Sequence, residues 1–145
     1  MRKHKGFTLV ELVVVVMILG ILAAVAAPKL LGTSSSASEN GLKQTLAVVR
    51  DAIERHAAEN GGQLPGNAGT EADFKADLVQ YLRGSFPVCP VANKDATIRV
   101  VGGSAAITGE ATPTASWAYC WGTGQFICNS TAFTKSEPTV KFDQW

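Results

Sequence analysis

The stretch GFTLVELVVVVMILGILAAVAAP, residues 6–28, decides the fold. From Leu12 to Ala27, sixteen residues carry no charge and no strongly polar group. From Phe7 to Ala27, the 21 residues hold one charge, Glu11. As a helix, such a run rises about 31 Å at 1.5 Å per residue. That length matches a hydrocarbon core of about 30 Å. A helix apolar on every side needs cover all round. A chain of 145 residues cannot supply that cover and build its own core as well. A membrane or a neighbouring copy must do so. Arg2, Lys3 and Lys5 stand directly before the run. They place the N-terminus in the cytoplasm and the remainder outside it.

Three fates fit such a run. It can be a secretory signal, with Ala24-Val25-Ala26 as the small-x-small cleavage site. It can be an ordinary single-span anchor. It can also be cut before the apolar residues and keep them. Glu11 separates the three. A carboxylate near the membrane centre costs on the order of 2.5–3.5 kcal/mol, and less near its edge. A plain signal or anchor gains nothing from that cost, unless Glu11 lies shallow and snorkels.

Composition narrows the rest. With 46% apolar and 17% charged residues, the chain is no disordered polyelectrolyte. The net charge is +1, and residues 1–6 carry +3, so residues 7–145 sum to +1 − 3 = −2. No concentrated basic surface remains, which argues against a nucleic-acid partner.

Beyond the run, residues 32–41, GTSSSASENG, read as a linker or a weakly helical stretch. Leu42, Leu46, Val49, Ile53 and Ala57 then recur at helical spacing, with Lys43, Arg50, Asp51, Glu54 and Glu59 off the stripe. Gly61-Gly62 stops this helix, so residues 7–60 can form one helix. Thr70 and Asp73 open a second helix whose stripe is Phe74, Leu78, Tyr81 and Leu82, ending at Gly84. Residues 85–96 are loop, 97–101 a strand, and 102–116 a flexible loop. Trp117–Trp121 and Gln125–Cys128 flank Gly122-Thr123-Gly124 as a hairpin. An edge strand is expected near Thr139–Phe142. Trp117, Tyr119 and Trp121 share a strand face, which packs on the long helix or, alternatively, binds a ligand.

Cys89, Cys120 and Cys128 are the candidate disulfide residues, because a body outside the cytoplasm meets an oxidising compartment. A turn centred on Thr123 pairs Cys120 with Phe126 and Ala118 with Cys128. Cys120 and Cys128 are then not directly opposed, and either can also pair with Cys89. Three buried thiols are the alternative. The spacings do not resemble a zinc site. His4 lies in the basic leader and His56 on the long helix. Neither His-based nucleophilic catalysis nor a phosphate loop is supported, so no enzyme is expected. Asn129-Ser130-Thr131 matches the glycosylation tripeptide by chance.

Gly6-Phe7-Thr8-Leu9-Val10-Glu11-Leu12, behind a short basic leader and before the apolar run, resembles the prepilin signature of type IV pilins and type II secretion pseudopilins. Gly20 and Pro28 also fall where that family commonly has Gly and Pro. The resemblance is strong over residues 1–31 and architectural beyond. It implies an α+β pilin-like fold, with a long N-terminal helix packed on a small antiparallel sheet. The implied division is leader 1–6, transmembrane and assembly helix 7–31, and periplasmic globular domain 32–145.

The resemblance also implies a life history. A prepilin peptidase cuts between Gly6 and Phe7 and methylates the new amine on Phe7. Glu11 then meets the N-terminal amine of an adjacent subunit, and Pro28 kinks a helix that continues through it. The implied partners are copies of itself, other pilins or pseudopilins, the peptidase, an inner-membrane platform and a motor ATPase. The implied location is the bacterial inner membrane, with a periplasmic body, and then a filament. The short leader and the turn Gly61-Gly62-x-x-Pro65 look more like a secretion pseudopilin or minor pilin than a large adhesive pilin. Major pseudopilins often hold calcium near the C-terminus. Here the tail offers only Glu137 and Asp143, so backbone carbonyls would have to supply most calcium ligands; calcium is a weak alternative and no cofactor is the main expectation. The reading from another class is a small binding module, secreted or membrane-anchored, with an ordinary signal.

Overall fold

In the computed structural model the residues described are 6–145, with side chains outside 30–33. The elements are α1 (Leu9–Glu59), α2 (Glu71–Leu78), β1 (Ile98–Val101), β2 (Trp117–Cys120), β3 (Phe126–Cys128) and a final 3-10 turn, Phe142–Gln144. The chain divides between Ser35 and Ser36 into two compact units.

The first unit is the apolar part of α1. Its large side chains from Leu9 to Val25 are 43–77% exposed. Pro28 lies inside the helix and does not end it. It forfeits one hydrogen bond, and apolar helix formers precede it. Among residues 32–41, which the sequence leaves between linker and helix, the backbone is helical throughout.

The second unit holds the core. Leu42, Leu46, Val49 and Ile53 of the stripe are buried, its last member Ala57 is half-buried, and Ala52 joins the core. They pack with Phe74, Leu78, Trp117, Tyr119 and Phe126 in one cluster. Trp117 and Phe126 rings lie 5.1 Å apart, and Phe74 and Tyr119 4.0 Å apart. Burying an aromatic or aliphatic side chain of this size stabilises by about 1.5–3 kcal/mol each. The helix ends as Gly61 turns to φ +65° and Gly62 N–H caps Ala57 O at 2.7 Å.

Thr70 caps α2, accepting from Asp73 N–H. The helix is shorter than its stripe suggests. It stops at Leu78, and Tyr81 and Leu82 reach the core from turns instead.

The α+β architecture is as expected, but the sheet is mixed. The order is β1-β2-β3, with β1 parallel to β2 and β2 antiparallel to β3. Residues 102–116 make the crossover without a helix of their own. The hairpin register also differs by one residue from a turn centred on Thr123. Trp117 faces Cys128, Ala118 faces Ile127 and Tyr119 faces Phe126. The loop is 121–124. Cys120 N–H bonds Gln125 O at 2.9 Å, and Gly124 N–H bonds Cys120 O at 2.8 Å. Gly124, at φ +74°, makes that closure possible.

The aromatic strand face packs on the helix with two residues rather than three. Trp117 and Tyr119 are fully buried, whereas Trp121 lies beyond the strand end, 37% exposed. Its ring covers Gly102, where any Cβ would collide with it. The expected edge strand near residue 140 reduces to one bridge, Phe133 to Lys141. The tail is pinned by side chains instead. Glu39 accepts from the backbone N–H groups of Lys135 (2.5 Å) and Ser136 (3.2 Å). Arg50 donates to Phe126 O at 2.8 Å and to Trp145 O.

Candidate functional site

Thr8 and Glu11 form the N-terminal end of α1. Thr8 N–H and Thr8 Oγ1–H both donate to Glu11 Oε2 at 2.9 Å, and Glu11 N–H donates to Thr8 Oγ1 at 3.2 Å. This is a reciprocal capping box, which satisfies donors that a helix start leaves open. It fixes the first turn and explains why the helix begins at Leu9. Both side-chain bonds use Oε2. Among the described residues, Glu11 Oε1 has no partner.

Gly6 and Phe7 precede the helix in irregular backbone. Phe7 is 84% exposed, and nothing lies within 4 Å of where a Gly6 Cβ would be. Among the described residues, nothing screens the Gly6–Phe7 peptide. Pro28 is exposed within α1. Met1–Lys5, with the basic leader and His4, lie outside the described residues.

Cys89, Cys120 and Cys128 are all buried free thiols. Cys89 Sγ and Cys128 Sγ lie 3.9 Å apart, whereas Cys120 Sγ donates to Gly103 O at 3.3 Å. Glu137 and Asp143 make no calcium cage. Glu137 Oε1 faces Lys43 Nζ at 3.9 Å, and Asp143 Oδ2 accepts from Gly109 N–H at 2.9 Å. Among the described residues, no three His, Cys, Asp or Glu side chains gather as metal ligands.

His56 is buried at the helix end, with Nδ1 3.2 Å from Gln63 O and its ring edge-on to Tyr81. It packs there and faces no nucleophile. Asn129 is fully buried, and its Nδ2 donates to Ala115 O and Glu110 Oε2. Its amide is committed to the crossover loop.

Three residues with structural consequence were not singled out by the sequence pattern. Thr8 was legible as the first letter of T-x-x-E. Glu39 and Arg50 were not, because their partners lie 96 and 76 residues away.

The prokaryotic N-terminal methylation motif matches residues 1–27. Type II secretion system core protein G of Vibrio cholerae is 38% identical over 72 residues, which is 50% of this chain and 49% of that protein. The Klebsiella pneumoniae protein of the same name is 31% identical over 87 residues, 60% of this chain and 62% of that protein. The type IV narrow pilus major component PilA5 of Thermus thermophilus is 44% identical over 85 residues, 49% of this chain and 73% of that protein. The chain belongs to the type IV pilin and pseudopilin family. It spans about half the length of its first secretion-system relative. No solved structure matches it.

The pilin and pseudopilin families are structural ones. The capping box sits at the start of an exposed apolar helix, and most aromatic residues of the globular unit lie in or against its core, with Trp121 and Phe133 exposed.

Proposed function

We propose that the chain is a structural subunit of a type IV pilus-like or type II secretion pseudopilus filament. It acts by assembly and not by catalysis. The observation that carries this reading is Glu11, an acid at the mouth of an otherwise apolar, exposed helix, with one oxygen of its carboxylate unpartnered among the described residues. The precursor enters the inner membrane with its basic end in the cytoplasm. Prepilin peptidase cuts the exposed Gly6–Phe7 bond, and the new Phe7 amine is methylated.

In the filament, that cationic amine meets Glu11 of an adjacent copy. Each charge alone in a low-dielectric interior costs several kcal/mol, and pairing offsets most of that. A copy docked one turn out of register leaves both charges unpaired, so the pair selects register. The capping box prepares the acid for this. Thr8 holds Oε2 and leaves Oε1 for the incoming amine, and a carboxylate has room for both. Apolar side chains from Leu9 to Val25 supply the contact area. Partners are further copies, other pilins or pseudopilins, the inner-membrane platform and its motor ATPase. The binding-module alternative relied on an aromatic strand face, and Trp117 and Tyr119 have no surface left for a ligand.

Two variants test this in the native host. Glu11→Ala should reach the membrane normally and form no filament. Glu11→Gln keeps an acceptor for the capping box and removes the charge, and it too should fail to assemble. Normal filaments from Glu11→Gln would reduce Glu11 to a helix cap and overturn the register role.

A further inference from the structure

The one-residue register of the hairpin sorts the three cysteines by face. Side chains alternate along a strand, so a slip of one residue moves each to the other side. In the observed register, Cys128 lies across from Trp117, on the face with Tyr119 and Phe126 that meets the helix. Cys120 is on the opposite face with Ala118 and Ile127, under the crossover loop. A bond between Cys120 and Cys128 would have to pass through the sheet. Cys89 arrives on the helix-facing side from the loop after α2. That loop is held at Pro87 O by Trp117 Nε1–H (3.1 Å) and at Cys89 N–H by Asp95 O (2.9 Å). Trp117 pairs with Cys128 across the hairpin, and the two sulfurs come to 3.9 Å.

We propose that Cys89 and Cys128 form a disulfide when the body folds outside the cytoplasm, and that Cys120 remains a thiol. This rests on the location proposed above. A disulfide needs sulfurs about 2.05 Å apart, so the pair must close by about 2 Å, a movement within reach of side-chain rotation. The oxidant is a protein or small-molecule disulfide of the oxidising compartment. One thiolate of the pair attacks one of its sulfurs, forming a mixed disulfide and releasing one thiolate. The other thiolate of the pair then attacks the linked Sγ and expels the second. Two protein thiols lose two electrons and two protons, and the oxidant's disulfide becomes two thiols.

Both sulfurs are fully buried in the folded body, so oxidation must precede final packing. The folded, reduced chain should resist the oxidant. Once closed, the bond ties the loop after α2 to β3 and constrains the unfolded chain.

The test uses the full chain in detergent, unfolded with reductant and refolded with glutathione disulfide. Free thiols are alkylated before and after reduction, and the linked peptides are identified by mass. The expected product is lighter by two hydrogens, links Cys89 to Cys128 and leaves Cys120 alkylated from the start. Reduction should lower the melting temperature by on the order of 10 °C. All three cysteines free after refolding would overturn the proposal, as would a linkage containing Cys120. Cys128→Ser should leave both remaining cysteines as thiols. A Cys89–Cys120 bond in that variant would overturn the sorting by face. The same alkylation on chain quenched in its native membrane tests the compartment separately. Oxidation in the refolded chain with full reduction in the cell would overturn the location and leave the pairing intact.

Discussion

One helix carries two kinds of sequence, and their burial differs as much as burial can. Leu42, Leu46, Val49 and Ile53 are 0–3% exposed, whereas the apolar side chains from Leu9 to Val25 are 43–77% exposed. Backbone geometry is the same in both. The later segment alternates polar and apolar residues at helical spacing, so one stripe suffices and the chain's own sheet covers it. The earlier segment is apolar on all sides, and its side chains are exposed. A helix with a stripe finds its partner within the molecule. A helix without one states that its partner is elsewhere, in a bilayer or in further copies.

That contrast can be broken by exchanging truncations between the two segments. Trp117→Ala, in the core under the later segment, should cost about 3–5 kcal/mol of body stability in denaturant unfolding of the full chain in detergent. The loss of the bond to Pro87 O adds to the damage. Leu19→Ala, in the earlier segment, should leave that unfolding transition unchanged. An equal loss from both would mean that the earlier segment has a partner within the chain.

Smaller changes sharpen the account of how the later segment holds the tail. Arg50→Ala removes donors from Phe126 O and Trp145 O. It should cost about 1–3 kcal/mol, and hydrogen exchange should rise over Phe142–Gln144 before it rises in α2. Uniform exchange across the body would contradict a local role.

Glu39 gives the smallest effect, present at neutral pH and lost in acid. Burial acts to raise its pKa, but the Ser136 hydroxyl, the Lys135 and Ser136 amides and the nearby Lys43 outweigh it and hold it below the usual carboxylate value. A pKa depressed on folding contributes stability that is present above the unfolded value and lost as pH falls through the folded one. Glu39→Gln should therefore lower the melting temperature at neutral pH and flatten its decline below the ordinary carboxylate pKa. An unchanged acid limb would show that the tail does not depend on this carboxylate.

Much of this was legible in the sequence because it rests on local patterns. The apolar run, the stripe from Leu42 to Ile53, the Thr70 cap and the glycine-bounded hairpin each declare themselves within a few residues. What escaped was non-local or finely balanced. The stretch Gly122-Thr123-Gly124 accommodates two loop lengths, and choosing wrongly by one residue reverses which face carries Cys128. Parallel pairing of β1 with β2 was hidden because residues 102–116 cross over without a helix to signal it. Glu39 and Arg50 read as solvated charges until the tail, far along the chain, folded onto them. At the assembly end, Glu11 stood out as a charge in an apolar run. Its capping partner Thr8 was equally visible, three residues before it.

The central claim is that the apolar helix is kept and used. It is tested most directly by the intact mass and N-terminal residue of the mature chain from its native membrane. The account predicts a chain that begins at N-methylated Phe7 and retains Glu11 and the whole apolar run. A chain beginning at Ala27 would contradict it, because the helix would then be a discarded signal and the filament reading would fall.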